Sequence, residues 1–399
     1  MQSKTLGSIF IIAGTSIGAG MMAMPLVTAM VGFRAAVVLM VVNWLLAAGS
    51  GLLVAQVCCA RATVTTLFGA ASEQLGRPGQ MTATLATICL PYALCAAYIA
   101  GAAGYLAGSL DRWFGLVLPF GGDAIVVTLL FATVIQAGTR YVDWINRALF
   151  LLQMAMLAIL LVSLLPAVDW VRLNTPAVSP DYLAAALPLF FTSFGFQATV
   201  PSIVRYLEGD PKRFRPAILW GASLPMLVYL LWTAAAGGVA SHEALVQMSR
   251  EQEPVSALVI SLSETSHVAG MTTTAISLFT ALALTTSFLG VALGLFDYMA
   301  EAMGHADSVK GRCRTATITF LPPLVAALLV PGAFIAALGF AAVALVVLAL
   351  LLPGLMIRKL YGNSLEGWQQ LLLWLTMGAG WLIILAQVSV TVGIMPRPG

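Results

Sequence analysis

The chain has 399 residues, of which 60% are hydrophobic and 9% charged, with a formal net charge of +3. Soluble domains carry about 25% charged residues, so a water-soluble fold is excluded. Long apolar runs parted by short charged clusters fit a chain that crosses a bilayer repeatedly, because a charge at mid-bilayer costs about 2.5–3.5 kcal/mol.

In chain order, eleven runs approach the length of a spanning helix, which needs roughly 20 mostly apolar residues. They are residues 6–30, 35–58, 81–108, 122–138, 148–167, 182–205, 216–239, 270–299, 314–331, 333–356 and 369–394. Lipid offers no partner to a backbone amide, so each must be a helix, or a break shielded by other helices. The amino-terminal run reads as a retained first span rather than a cleaved leader. Two connections are long. Residues 59–80 include a short helix candidate at Thr65–Leu75, and residues 240–269 include an amphipathic stretch at Pro254–Leu262. Each reads either as a linker or as part of a gate over a site.

Placing the amino terminus in the cytoplasm puts fourteen of the 19 Lys and Arg residues on that side and the carboxyl terminus outside, as the positive-inside rule requires. The five cysteines form no CxxC pair, and the three histidines (His242, His267, His305) fall in loops. No metal, redox group or other cofactor is expected from that pattern, and nothing points to nucleic acid.

The first run contains Gly14-Thr15-Ser16-Ile17-Gly18-Ala19-Gly20 and then Pro25; the sixth contains Phe191-Thr192-Ser193-Phe194-Gly195-Phe196 and then Pro201. Both carry Thr-Ser-x-Gly with a proline six or seven residues past the glycine. Glycine and proline weaken a helix by about 1 and 3 kcal/mol, so matched breaks are expected in the first and sixth spans. Five spans per repeat is an odd number, so consecutive repeats insert in opposite orientations. Paired broken helices in inverted repeats mark a transporter's binding site. Unwinding frees N–H groups that attract a carboxylate and C=O groups that suit an ammonium or a small cation; a zwitterionic amino acid fits both. The alternative is that these glycines serve only close helix packing.

These two runs resemble the first and sixth helices of the bacterial hydroxy/aromatic amino acid permeases. Ser287-Phe288-Leu289-Gly290-Val291-Ala292-Leu293-Gly294-Leu295-Phe296-Asp297-Tyr298 and Ile318-Thr319-Phe320-Leu321-Pro322-Pro323 are similar to that family's eighth and ninth helices. The resemblance runs through almost the whole chain and is closest on the tyrosine-specific side. It implies an all-α integral membrane protein of the LeuT-type fold in a bacterial cytoplasmic membrane. The expected organisation is one transport domain over 1–399, with five-helix repeats at 6–167 and 182–356 and an eleventh helix at 369–394. It also implies uptake coupled to protons. One position departs from the family pattern, which has histidine where this chain has Gln197.

On this reading the backbone amides of Gly18, Ala19 and Gly20 take the substrate carboxylate. Carbonyls near Phe191, Thr192 and Ser193, with the Ser16 hydroxyl nearby, take its ammonium. Tyr98 resembles the third-helix tyrosine of LeuT-type relatives that holds the carboxylate; otherwise it is a packing residue. Phe194, Phe196, Phe288 and Tyr92 are candidates for an aromatic pocket, and Gln197 for a partner to a polar ring tip. Thr286 and Ser287, with carbonyls of Gly14 and Ile17, resemble the sodium site of sodium-coupled relatives, or else make a polar helix contact. Among acids within the spans, Asp123 is expected to start the fourth helix, and Asp297 is a coupling candidate or the partner of Lys4 or Arg147. A monomer is compatible with this reading, which does not set the oligomeric state. An intramembrane enzyme lacks a catalytic pair here, and a channel lacks a ring-like filter.

Overall fold

A computed structural model describes residues 2–18, 20–60, 67–136, 138–174, 176, 178–251, 254–265, 271–304, 308–330, 333–362 and 364–397. Ala19, Arg61, Thr65, His267 and His305 lie outside the described residues. Among those described the chain is helical almost throughout, with no strand. The helices are α1 (Gln2–Ser16), α2 (Gly20–Val31), α3 (Phe33–Cys59), α4 (Leu67–Phe114), α5 (Gly122–Gln136), α6 (Thr139–Leu164), α7 (Asp181–Ser193) and α8 (Val200–Tyr206). They continue as α9 (Pro211–Val239), α10 (His242–Ser249), α11 (Pro254–Thr265), α12 (Met271–Ala302), α13 (Val309–Leu329), α14 (Ala333–Val346), α15 (Leu352–Tyr361) and α16 (Gly367–Thr391).

Nine helices among the described residues are long and apolar enough to cross a membrane, or ten if α1 and α2 are one bent span. The run expected at 314–331 is the 21-residue helix α13, which falls outside that set. Lys310, Arg312 and Arg314 near its start, and Pro322 and Pro323 within it, make it less apolar than its neighbours. The expected third span is longer than its apolar run: α4 reaches back to Leu67 and bends at Gly76, whose φ of 68° is a conformation that glycine adopts without a Cβ penalty. Its first turns cover most of the short helix expected at Thr65–Leu75. Asp123 does stand in the first turn of α5, where a carboxylate complements the helix dipole.

Helices α2 and α3 are joined by a single residue, Gly32, with φ 80°. Helix α9 packs along both α1 and α3, α12 along α6 and α4, and α14 along α4 and α7. Close approach along α9 depends on Gly221, where a Cβ would come within 2.7 Å of the Ile12 side chain. The stretch at Pro254–Leu262 is helical and largely buried. There α11 packs on α12, α4 and α2, so this connection is part of the packed body rather than a loose linker.

Breaks and prolines inside spans leave a carbonyl without its helical donor, and three side chains from other helices fill such gaps. The kink at Gly76 frees the carbonyl of Gln74, which accepts from Lys359 Nζ at 2.5 Å. Pro322 frees that of Ile318, which accepts from the Tyr92 hydroxyl at 2.7 Å. Pro25 frees that of Met21, which accepts from the Trp232 indole N–H at 3.1 Å. Each bond ties a weakened turn to a neighbouring helix, so the kink is held in one geometry.

Candidate functional site

Helix α1 stops at Ser16 and α2 starts at Gly20, with the two axes bent by 58°. The Ile17 amide still closes a bond to Ala13 O at 2.8 Å, and the Met21 amide turns back to Gly18 O at 3.1 Å. In the sixth expected span α7 stops at Ser193. A short turn follows, closed by Phe194 N–H to Phe191 O at 3.1 Å and Gly195 N–H to Thr192 O at 3.0 Å. The chain then passes through a 3-10 turn at Gln197–Thr199 into α8. Bulky residues and the glycine spacing explain the stop: Gly195 leaves room for Leu345 and for the carbonyl of Thr192, which a Cβ would meet at 2.9 and 3.0 Å.

The two interruptions face each other. A Cβ on Gly20 would come within 3.0 Å of Ser193 Oγ. The hydroxyl of Tyr229, on α9, lies 2.5 Å from Ser16 O and 2.7 Å from Ser193 O. These are the last residues of α1 and α7, so the phenol sits between two helix carboxyl ends. Its ring meets Phe194 edge-on, with centroids 5.2 Å apart. Among the described residues of this region Ser16 Oγ is buried without a hydrogen-bond partner.

Of the residues singled out from sequence, Gly18, Ser287 and Tyr98 come together. A Cβ on Gly18 would overlap the Ser287 hydroxyl, and Tyr98 hydrogen-bonds the Ser287 side chain. Tyr98, Phe191, Phe194, Phe196 and Phe288 are all buried. Thr192 Oγ1 donates within hydrogen-bond distance of Pro188 O and Leu338 O, both at 3.0 Å, and Ser193 Oγ donates to Leu189 O at 3.0 Å.

Other candidates have different surroundings. Phe288 is stacked between Phe131 and Phe320, with centroid separations of 4.3 and 6.0 Å. Tyr92 is engaged with Ile318 as described above. The Gln197 amide is committed at both ends: Oε1 accepts from Phe196 N–H at 3.0 Å, and Nε2 donates to Ser50 Oγ at 2.9 Å. Thr286 Oγ1 is 2.8 Å from Gln153 Oε1 and 2.9 Å from Leu282 O, while Gly14 lies against the Phe150 ring. Asp297 is exposed. Of the two cations considered as its partner, Lys4 is paired with Glu208 at 2.9 Å. Among the described residues no cluster of His, Cys, Asp and Glu could hold a metal ion.

Sequence reading missed Tyr229, Trp232 and Gln153. A signal existed for the first two: they stand one helical turn apart in the middle of an apolar run, where a phenol and an indole N–H each require a partner. The freed Met21 carbonyl before Pro25 called for just such a donor.

The profile of the tryptophan/tyrosine permease family matches residues 1–395. The chain is similar to tyrosine-specific transport system 1 of Haemophilus influenzae, with 35% identity over 90% of this chain and 88% of the relative. Tyrosine-specific transport system 2 of the same organism is 37% identical over 88% and 87%. Glutamine transporter 2 of Aliivibrio fischeri is 28% identical over 97% and 100%. These relatives are transport proteins rather than enzymes.

Proposed function

The chain belongs to the tryptophan/tyrosine permease family, and from that premise we propose that it imports an aromatic amino acid, tyrosine first, by proton-coupled alternating access. The observation that carries the reading is the meeting of the α1 and α7 carboxyl ends at the Tyr229 hydroxyl. Two negative dipole ends at one point favour a cation there. The start of α2 at Gly20 faces the same place with the positive end of its dipole, which favours a carboxylate.

The fold that accommodates this is the LeuT type, with inverted five-helix repeats at 6–167 and 182–356, an eleventh helix at 369–394 and the amino terminus in the cytoplasm. In it Gly18 and Gly20 approach the substrate carboxylate, with Tyr98 beside Ser287 as the side-chain partner. The last carbonyls of α1 and α7 take the ammonium, and Phe194 forms one wall for the ring. Gln197 holds the break itself, through Phe196 and Ser50, rather than reading the ring tip. One charge moving inward across 100 mV yields about 2.3 kcal/mol, enough for roughly 50-fold accumulation, so a single proton per substrate suffices.

Reconstituted protein tests this directly. Labelled tyrosine should accumulate uphill under an imposed inward proton gradient without sodium. Strictly downhill flux would instead identify a channel, and accumulation that requires sodium would identify the other coupling ion.

A further inference from the structure

The side chain joining the two interruptions belongs to neither of the interrupted spans. Tyr229 is fully buried near the middle of α9, with the terminal carbonyls of α1 and α7 at 2.5 and 2.7 Å from its hydroxyl. A carbonyl at a helix carboxyl end has no intrahelical donor. A phenol has one proton to share between the two acceptors, so neither receives a full hydrogen bond of its own. The Ser16 hydroxyl, buried beside them with no partner, adds to the unmet demand. A substrate ammonium brings three donors and a full charge, and satisfies all of these groups at once.

The ring is held in place for this task. Phe194 packs edge-on against it at an interplanar angle of 75°. Trp232, one turn along α9, is bonded to Met21 at the start of α2. One face of α9 therefore touches α1, α2 and α7 together, through two hydrogen-bonding aromatics.

We propose that Tyr229 is a positioning residue that stands in for the substrate ammonium, so that the carrier can close and cross while empty. This deepens the symporter reading and rests on it. During exchange the carrier crosses loaded in both directions, and its acceptors always meet an ammonium. Net uptake adds one empty crossing per cycle. In that crossing the half-helix ends come together without ligand, and buried acceptors lacking any donor raise the energy of the closed state. The phenol removes that penalty in the empty carrier alone, so its loss changes the two modes unequally.

The test compares wild type with Tyr229→Phe, which keeps the ring and its packing, in liposomes. Exchange is read as labelled tyrosine entering vesicles preloaded with unlabelled tyrosine; net uptake is read in empty vesicles under an inward proton gradient. Exchange is expected to stay within about two-fold of wild type while net uptake falls about ten-fold or more, the scale of one orphaned buried acceptor. Equal loss in both modes would mean a general packing role and would overturn the proposal, as would unchanged net uptake. Recovery of net uptake on making the vesicle interior alkaline would assign the defect to proton release and overturn it too. Wild-type protein that exchanges no tyrosine overturns the transport reading itself, and the proposal with it.

Discussion

Gly18 and Ser287 approach so closely that a single added methyl group at the glycine would overlap the serine hydroxyl. The break in the first span is thus seated directly on α12, and Ser287 in turn meets Tyr98 of α4. Gly18→Leu is expected to abolish tyrosine binding while membrane insertion and yield stay normal. Gly18→Ala should weaken binding by a smaller amount, because the serine side chain can rotate away. Equilibrium binding of labelled tyrosine to detergent-purified protein measures both; normal binding by the leucine variant would remove Gly18 from the site.

Thr286 already has hydrogen-bond partners in Gln153 and Leu282. The variant combining Thr286→Ala with Ser287→Ala is therefore expected to remain proton-driven, with no sodium response lost, because none was present. The readout is initial uptake with and without sodium at fixed proton gradient. A wild-type sodium stimulation that vanishes in the variant would transfer the coupling role to that ion.

Gln197 satisfies the Phe196 amide and the Ser50 hydroxyl, both buried. Gln197→Leu leaves the buried Phe196 amide unpaired, while Ser50 keeps its bond to Ala47 O, and should lower stability by about 1–3 kcal/mol, seen as a reduced melting temperature in detergent. Gln197→His retains hydrogen-bonding capacity and should transport normally. If the leucine variant melts with wild type, the amide does not hold the break together.

At the amino-terminal end of α1, Lys4 pairs with Glu208 in the turn after α8, linking the start of α1 to the end of α8. The ammonium holds the Glu208 carboxyl below its ordinary value of 4.5. A depressed carboxyl contributes stability that is present above its unfolded value and disappears as pH falls through the folded one. Lys4→Gln should consequently change thermal stability only slightly at pH 7, and not at all once the pH lies well below 4.5. Both residues are exposed, so the difference at pH 7 should also shrink in high salt. An effect that persists at low pH would mean Lys4 acts through Tyr206, over whose ring its ammonium lies at 5.5 Å.

Substrate preference is read most directly by competition. Unlabelled tyrosine should displace labelled tyrosine best, with tryptophan and phenylalanine next and glutamine weakest, since Phe194 offers a ring surface near the helix ends. Glutamine belongs in the panel because a relative that matches 97% of this chain carries its name. Stronger displacement by glutamine than by tyrosine would overturn the aromatic assignment.

Much of this molecule could be read directly from residue order. Hydropathy located nine of the eleven expected spans among the described residues, or ten if α1 and α2 are one, because bilayer thickness dictates the length of an apolar helix. Helices α1 and α7 end at the Thr-Ser of the two Thr-Ser-x-Gly repeats, where glycine and proline act on their own local backbone and need no distant partner. Asp123 at the start of α5 was legible for the same local reason. The short helix expected at Thr65–Leu75 was legible too, but its continuation past Gly76 into the third span was not, since that junction is set by the burial of Ala70 and Ala71 in one cluster with Val57 and Met356.

Relationships across the bundle belong to the tertiary structure alone. Nothing in the residue order says that Tyr229 meets Ser16 and Ser193, that Phe288 stacks on Phe131, or that Gln153 faces Thr286. These pairs are separated by up to 213 residues, and their contact depends on helix rotation and crossing, which apolar composition on every face leaves open. A buried polar group in lipid must find a donor or acceptor, so sequence shows that Tyr229 needs partners. Only the packing of α9 against both interruptions decides that those partners are two carbonyls sharing one proton.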